Sequence, residues 1–125
     1  MAIEFERHSQ TATFHSPLAD FEETDVEVDV RMDPLTGRQT RIVPEAFVEP
    51  EGTPELADSV TDAEGCFFCP GAVTESTPKY PAAIGFDRGS VGEATSFPNL
   101  NPYGAHSNVV VLTEDHFVPI GALTV

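Results

Sequence analysis

The chain has 125 residues, 40% of them hydrophobic, enough for one modest core and too many for a disordered chain. Its 21 acidic residues stand against 6 basic ones, for a formal charge of −15, and the acids are spread along the chain rather than gathered in a tail. Direct nucleic-acid binding is excluded for want of a basic patch, and no apolar run approaches the roughly 18 residues that mark a membrane span.

Residues 1–24 show no clean period. Their acids, hydroxyls and Pro17 predict an irregular acidic arm, in which His8 and His15 read as solvated surface histidines rather than metal ligands. From Val26 the pattern changes. Val26, Val28, Val30 and Met32 alternate with Glu27, Asp29 and Arg31, which predicts a half-buried strand over 26–32. Asp33-Pro34-Leu35-Thr36-Gly37 then supplies a fixed φ at proline and a free one at glycine, and extended chain resumes over 39–43. The pair predicts a hairpin.

Residues 50–64 form a Pro/Glu/Asp/Gly-rich connector with little to bury. Gly65-Cys66-Phe67-Phe68-Cys69-Pro70-Gly71 follows, with the chain's two cysteines. A Cys-x-x-Cys pair of this kind has three readings: buried free thiols, a redox pair, or half of a zinc knuckle. A disulfide is disfavoured in a reducing compartment, and Pro70-Gly71 makes a turn where a redox motif would open a helix. Residues 72–88 read as loop with a weak strand candidate at 82–86, and no glycine pattern there cradles phosphate. A strand is expected near 94–97. The bend from Asn99 through Pro102, Tyr103, Gly104 and His106 leads into Val109, Val110, Val111 and Leu112. This short apolar run predicts a strand over 106–112, buried on both faces.

Three of these landmarks together resemble a known family. The Asn99–Pro102–Tyr103 bend with its Gly/His turn and valine strand is similar to the signature of the histidine-triad (HIT) superfamily. The step Glu114-Asp115-His116, the hairpin at 31–38 and the Cys-x-x-Cys at 66–69 resemble, in the same order, the galactose-1-phosphate uridylyltransferase branch of that superfamily. The resemblance covers roughly residues 30–116. Asp33 stands where the family's hairpin has Asn, and Thr95 where one alignment has the family's Asn. The family's Arg-Ala-Lys-Arg-Pro-like run is replaced by Ala46-Phe47-Val48-Glu49-Pro50, which lacks the arginine forks that bind phosphate.

What the resemblance implies is specific. It assigns Cys66, Cys69 and His116 to one zinc ion, with the fourth ligand a histidine that this sequence does not contain. It implies a nucleotide pocket in which Asn99 or Thr95 meets ribose hydroxyls and Phe97 and Tyr103 wall the base. Each of these also has a plain structural reading: a turn-stabilising Asn99, and core positions for Phe97 and Tyr103. The superfamily's His-x-His-x-His nucleophile is absent, since the histidines lie at 8, 15, 106 and 116.

The fold implied is α+β: an incomplete HIT-like antiparallel sheet carrying a zinc-knuckle loop, with residues 1–24 as arm and 25–125 as the N-terminal part of the domain. An uncovered sheet face would leave the chain poorly stable or self-associating, a homodimer being one such form. The function implied is the N-terminal part of a nucleotidyltransferase acting on a nucleotide sugar or sugar phosphate in galactose metabolism. The competing class is a non-catalytic, zinc-stabilised acidic domain. In either case the acidic surface suits a high-salt cytoplasm, because salt screens its self-repulsion. The opening MAIEFERHSQ lacks the apolar core of a signal peptide, in keeping with a cytoplasmic location.

Overall fold

The structure, a computed structural model, describes residues 3–43, 60 and 63–124. The substituted segment 46–50 and most of the connector at 50–64 lie outside the described residues.

Two antiparallel three-stranded sheets make up most of the regular structure. The first joins β1 (Glu6–Ser16), β2 (Glu22–Met32) and β3 (Gln39–Ile42) in that order, and the second joins β4 (Gly89–Val91), β5 (Ala94–Pro98) and β6 (Asn108–Val111). One short helix, α1 (Ala72–Ser76), lies between them among the described residues. None of the described helices is long and apolar enough to cross a membrane. The expected strands at 26–32, 39–43, 94–97 and 106–112 all have counterparts, but they divide between two sheets instead of sharing one. The described residues are mostly β.

The irregular arm expected over residues 1–24 is largely a strand. Along its whole length β1 pairs with β2, from Glu6 opposite Met32 to Ser16 opposite Glu22. Its inward positions are Gln10, Ala12, Phe14 and Ser16, of which only two are apolar, so alternation gives little signal. Partnership with β2 decides the conformation. Ala12, Phe14, Val28 and Val30 are at most 4% exposed and form the core of this sheet. The opposite face is a polar ladder: Arg7 pairs with Asp29 at 2.9 Å, Ser9 donates to Glu27 at 2.5 Å and Thr13 to Asp25 at 2.6 Å.

The β1–β2 connection is a 3-10 turn, Pro17–Ala19, followed by two left-handed residues, Asp20 and Phe21. The backbone of His15 exchanges two hydrogen bonds with Lys79, at 2.9 and 3.0 Å, so the chain after α1 extends the free edge of β1. His15 is therefore half-buried rather than solvated, with Nδ1 3.0 Å from the Phe21 carbonyl; His8 is exposed as expected.

The β2–β3 hairpin forms as its sequence dictates. Asp33 accepts from the Leu35 N–H at 2.9 Å and the Thr36 hydroxyl at 2.6 Å, while Gly37, at φ +70°, lets its N–H reach the Asp33 carbonyl at 2.8 Å. The Thr36 hydroxyl first, then the Leu35 backbone N–H, hold the Asp33 carboxyl below its ordinary value against an opposing effect of burial. The weak strand candidate at 82–86 is instead a 3-10 turn, Ala82–Ile84, because Pro81 sets its entry and Gly85, left-handed, ends it.

In the second sheet β6 is an edge strand. It pairs only with β5, and Val110 and Leu112 are more than half exposed. The run is thus half-buried, contrary to the expectation of burial on both faces, since no described element covers its outer side.

Candidate metal centre

The knuckle is a short loop set between two glycines. Gly65, at φ +74°, turns the chain so that the Cys66 N–H reaches the Ala63 carbonyl at 3.2 Å. The Cys69 carbonyl then accepts from Val73 at 3.0 Å, which starts α1 directly after the second cysteine. At its other end α1 is tied down by buried Thr77: the hydroxyl donates to the Val73 carbonyl at 2.5 Å and accepts from Arg88 Nε at 2.8 Å. Partial burial pulls the Arg88 guanidinium below its ordinary value while the Asp87 charge opposes this.

Phe68, between the two cysteines, stacks on Phe97 of β5 with ring centroids 5.9 Å apart and planes 21° apart. That contact docks the knuckle on the second sheet. From the same sheet the chain leaves β6 and reaches His116, a turn in which the Thr113 hydroxyl donates to the Asp115 carbonyl at 3.3 Å.

The result is a cluster of Cys66, Cys69 and His116 whose donor atoms all lie within 4.8 Å of one another. Cys69 Sγ is 3.2 Å from His116 Nδ1, across 47 residues of sequence. Two thiolates and an imidazole are donors that zinc takes, and bonds of about 2.3 Å to sulfur and about 2.0–2.1 Å to nitrogen give donor–donor edges of about 3.5–3.8 Å in a tetrahedron. The 3.2 Å between Cys69 and His116 and the 4.8 Å limit on all three donors lie on either side of that range, so the residues present fit such an ion. Asp115, the neighbouring carboxylate, is not part of the cluster. His8, His15 and His106 join no metal-ligating group among the described residues.

The two thiols differ. Cys66 is pulled down to about 7, first by the Phe68 backbone N–H, then by hydrogen bonding from Cys69 and, more weakly, from His116. Cys69 is pushed up, chiefly because it donates to Cys66, with burial and the neighbouring charge adding to the effect. The pair therefore holds one thiolate readily and gives up the second proton reluctantly.

The residues expected at a nucleotide pocket are not gathered in one place. Phe97 is 2% exposed and stacked on Phe68, a core position. Thr95 lies on the central strand between Ser90 and Val111. Asn99 closes the bend: its N–H donates to the Ser107 carbonyl at 2.9 Å and its Oδ1 accepts from Asn101 at 3.0 Å. Tyr103 is 45% exposed and lines an open depression of about 550 Å³ with Gln10, Arg41, Gly104, Ala105, His106 and Ser107. Gln10 and Arg41 carried no signal in the sequence, because what brings them to the bend is the docking of one sheet beside the other. Phe68 as the anchor of the knuckle was equally silent.

No family model matches the chain, and no solved structure matches it. A protein of Archaeoglobus fulgidus, described as an uncharacterized protein, is 32% identical over 94 residues, which is 74% of this chain. The matched stretch is 28% of that protein's length, which puts the relative at about 340 residues (94/0.28).

Proposed function

We propose that this chain supplies the zinc knuckle and one wall of the nucleotide pocket of a HIT-type nucleotidyltransferase of the hexose-1-phosphate uridylyltransferase kind, working on a nucleotide sugar or sugar phosphate in a high-salt cytoplasm. The observation that carries the reading is the meeting of Cys66 and Cys69 with His116 across 47 residues. That trio is the one implied by the resemblance to the uridylyltransferases. In that role zinc fixes the knuckle to the exit of β6, and a further histidine closes its fourth position. Asn99 holds the bend, Tyr103 offers an accessible ring, and buried Phe97 supports the knuckle from below. A relative of about 340 residues leaves ample length for the His-x-His-x-His nucleophile and the remaining helices. That nucleophile would carry the nucleotidyl group as a covalent intermediate.

A second reading is favoured by one observation. The four histidines, at 8, 15, 106 and 116, include no pair with nucleophile spacing. On that reading the domain is a zinc-stabilised acidic module without catalysis.

The complete gene product separates the two. Incubation with UDP-glucose should add the mass of one uridylyl group to the protein, and elemental analysis should find one zinc per chain. The 125-residue chain should hold zinc substoichiometrically, because a three-ligand site binds more weakly than a closed one. A complete product with zinc but neither the adduct nor a His-x-His-x-His run supports the second reading, and one without zinc defeats both.

A further inference from the structure

We propose that the depression between the first sheet and the β5–β6 bend binds the phosphate group of a small-molecule ligand, with Arg41 as its principal contact. The inference deepens the nucleotide-sugar reading above and rests on it only for the rest of the ligand. The depression is about 550 Å³, within the range of small-molecule sites, and the described residues that line it come from β1, β3 and the bend.

Charge is the first argument. Among the described residues no acidic side chain lines this depression. Of the cations, Arg7 and Arg31 pair with Asp29, Lys79 pairs with Asp87, and Arg88 is held by Thr77. Arg38 and Arg41 have no carboxylate partner among the described residues, and of the two it is Arg41 that lines the depression. In a protein of charge −15, an arginine without a carboxylate partner, in a hollow lined by no described carboxylate, is a place where an anion meets reduced repulsion.

Donor geometry is the second. A guanidinium presents a planar fork that matches phosphate oxygens two at a time. The Ala105 N–H donates to Gln10 Oε1 at 3.4 Å, which leaves the Gln10 amide nitrogen as the donor for a ligand. Asn99 Nδ2 donates to Ser107 Oγ at 3.4 Å, so the hydroxyl hydrogen of Ser107 is available to the hollow. His106 contributes an exposed imidazole on the same rim. The bend approaches this closely because residue 104 is glycine: a Cβ there would sit 2.8 Å from Gln10 Oε1 and 3.5 Å from Arg41 Nε.

The test is a titration of the ¹⁵N-labelled full chain with inorganic phosphate and with glucose 1-phosphate, at fixed ionic strength, followed by NMR. Saturable shifts are expected at the amides of Gly104, Ala105, His106 and Ser107. Arg41→Gln should weaken binding at least tenfold and Arg41→Lys at least threefold, since lysine keeps the charge but loses the fork. Arg38→Gln, on the hairpin away from the depression, should leave binding within twofold. Arg41→Lys keeps the test decisive should the glutamine variant lose its dispersed spectrum. Absence of saturable shifts, or equal losses on changing Arg38 and Arg41, overturns the inference. Tighter binding of glucose 1-phosphate than phosphate supports a phosphate ester as the ligand. Zinc content measured on the same samples reads the metal proposal separately.

Discussion

Removing the stacked pair Phe68 and Phe97 should loosen the metal centre without touching a ligand. Phe97 is 2% exposed and Phe68 49%, so the two rings bury unequal amounts of surface. Phe97→Leu keeps most of the volume and should cost about 1 kcal/mol, where truncation to alanine would cost about 3–5 kcal/mol. Phe68→Ala loses a half-buried ring, about 1 kcal/mol when full burial of such a side chain is worth about 1.5–3 kcal/mol. Rings stacked at 5.9 Å should add a coupling of about 0.5–1.5 kcal/mol, visible as non-additivity in the double variant. Because Phe68 sits between Cys66 and Cys69, undocking it frees the ligand loop, and about 1 kcal/mol corresponds to about fivefold in zinc affinity. Urea unfolding of the four proteins gives the coupling, and competition against a chromophoric chelator gives the affinity. A coupling within about 0.3 kcal/mol of zero, with zinc affinity unchanged in Phe68→Ala, would refute the docking role of the stack.

Thr77→Val should cost about 1–3 kcal/mol in urea unfolding, because it takes the buried Thr77 hydroxyl away from the half-buried Arg88 Nε that donates to it. Asp33→Asn should lower stability at neutral pH and flatten the acid limb. The native carboxyl is held below its ordinary 3.8, so its contribution is present above that value and is lost as pH falls through the folded pKa, which urea midpoints between pH 7 and pH 3 will show. In chelator-treated protein, alkylation of Cys66 should rise about tenfold between pH 6 and pH 8 while Cys69 lags, since Cys66 titrates near 7 and Cys69 is pushed up. Peptide mapping after iodoacetamide pulses reads both rates, and zinc should protect both thiols.

What could be read from the sequence was mostly local. The hairpin at Asp33 and Gly37 is determined by turn chemistry within six residues, and β6 by a short apolar run beside turn signals. The metal trio was legible only through resemblance, since no local pattern links Cys69 to a histidine 47 residues away. The missed features are all non-local. Strand β1 looks irregular because Gln10 and Ser16 face inward with Ala12 and Phe14, and only its pairing with β2 makes it a strand. The division into two sheets, the Lys79 backbone added to the edge of β1, and the exposure of Val110 and Leu112 depend on which segments meet, which apolar alternation does not encode. The same holds for Arg41: its neighbour Gly104 lies 63 positions further along the chain, so the hollow exists only once the sheets are placed.

X-ray absorption at the zinc edge tests the metal centre most directly, because it reads the donor atoms of bound zinc. The arrangement of Cys66, Cys69 and His116 predicts two sulfur neighbours at about 2.3 Å, with nitrogen or oxygen at about 2.0–2.1 Å completing the shell, and no bound zinc in Cys66→Ser. A shell of oxygen and nitrogen alone, or zinc retained undiminished by Cys66→Ser, would contradict it.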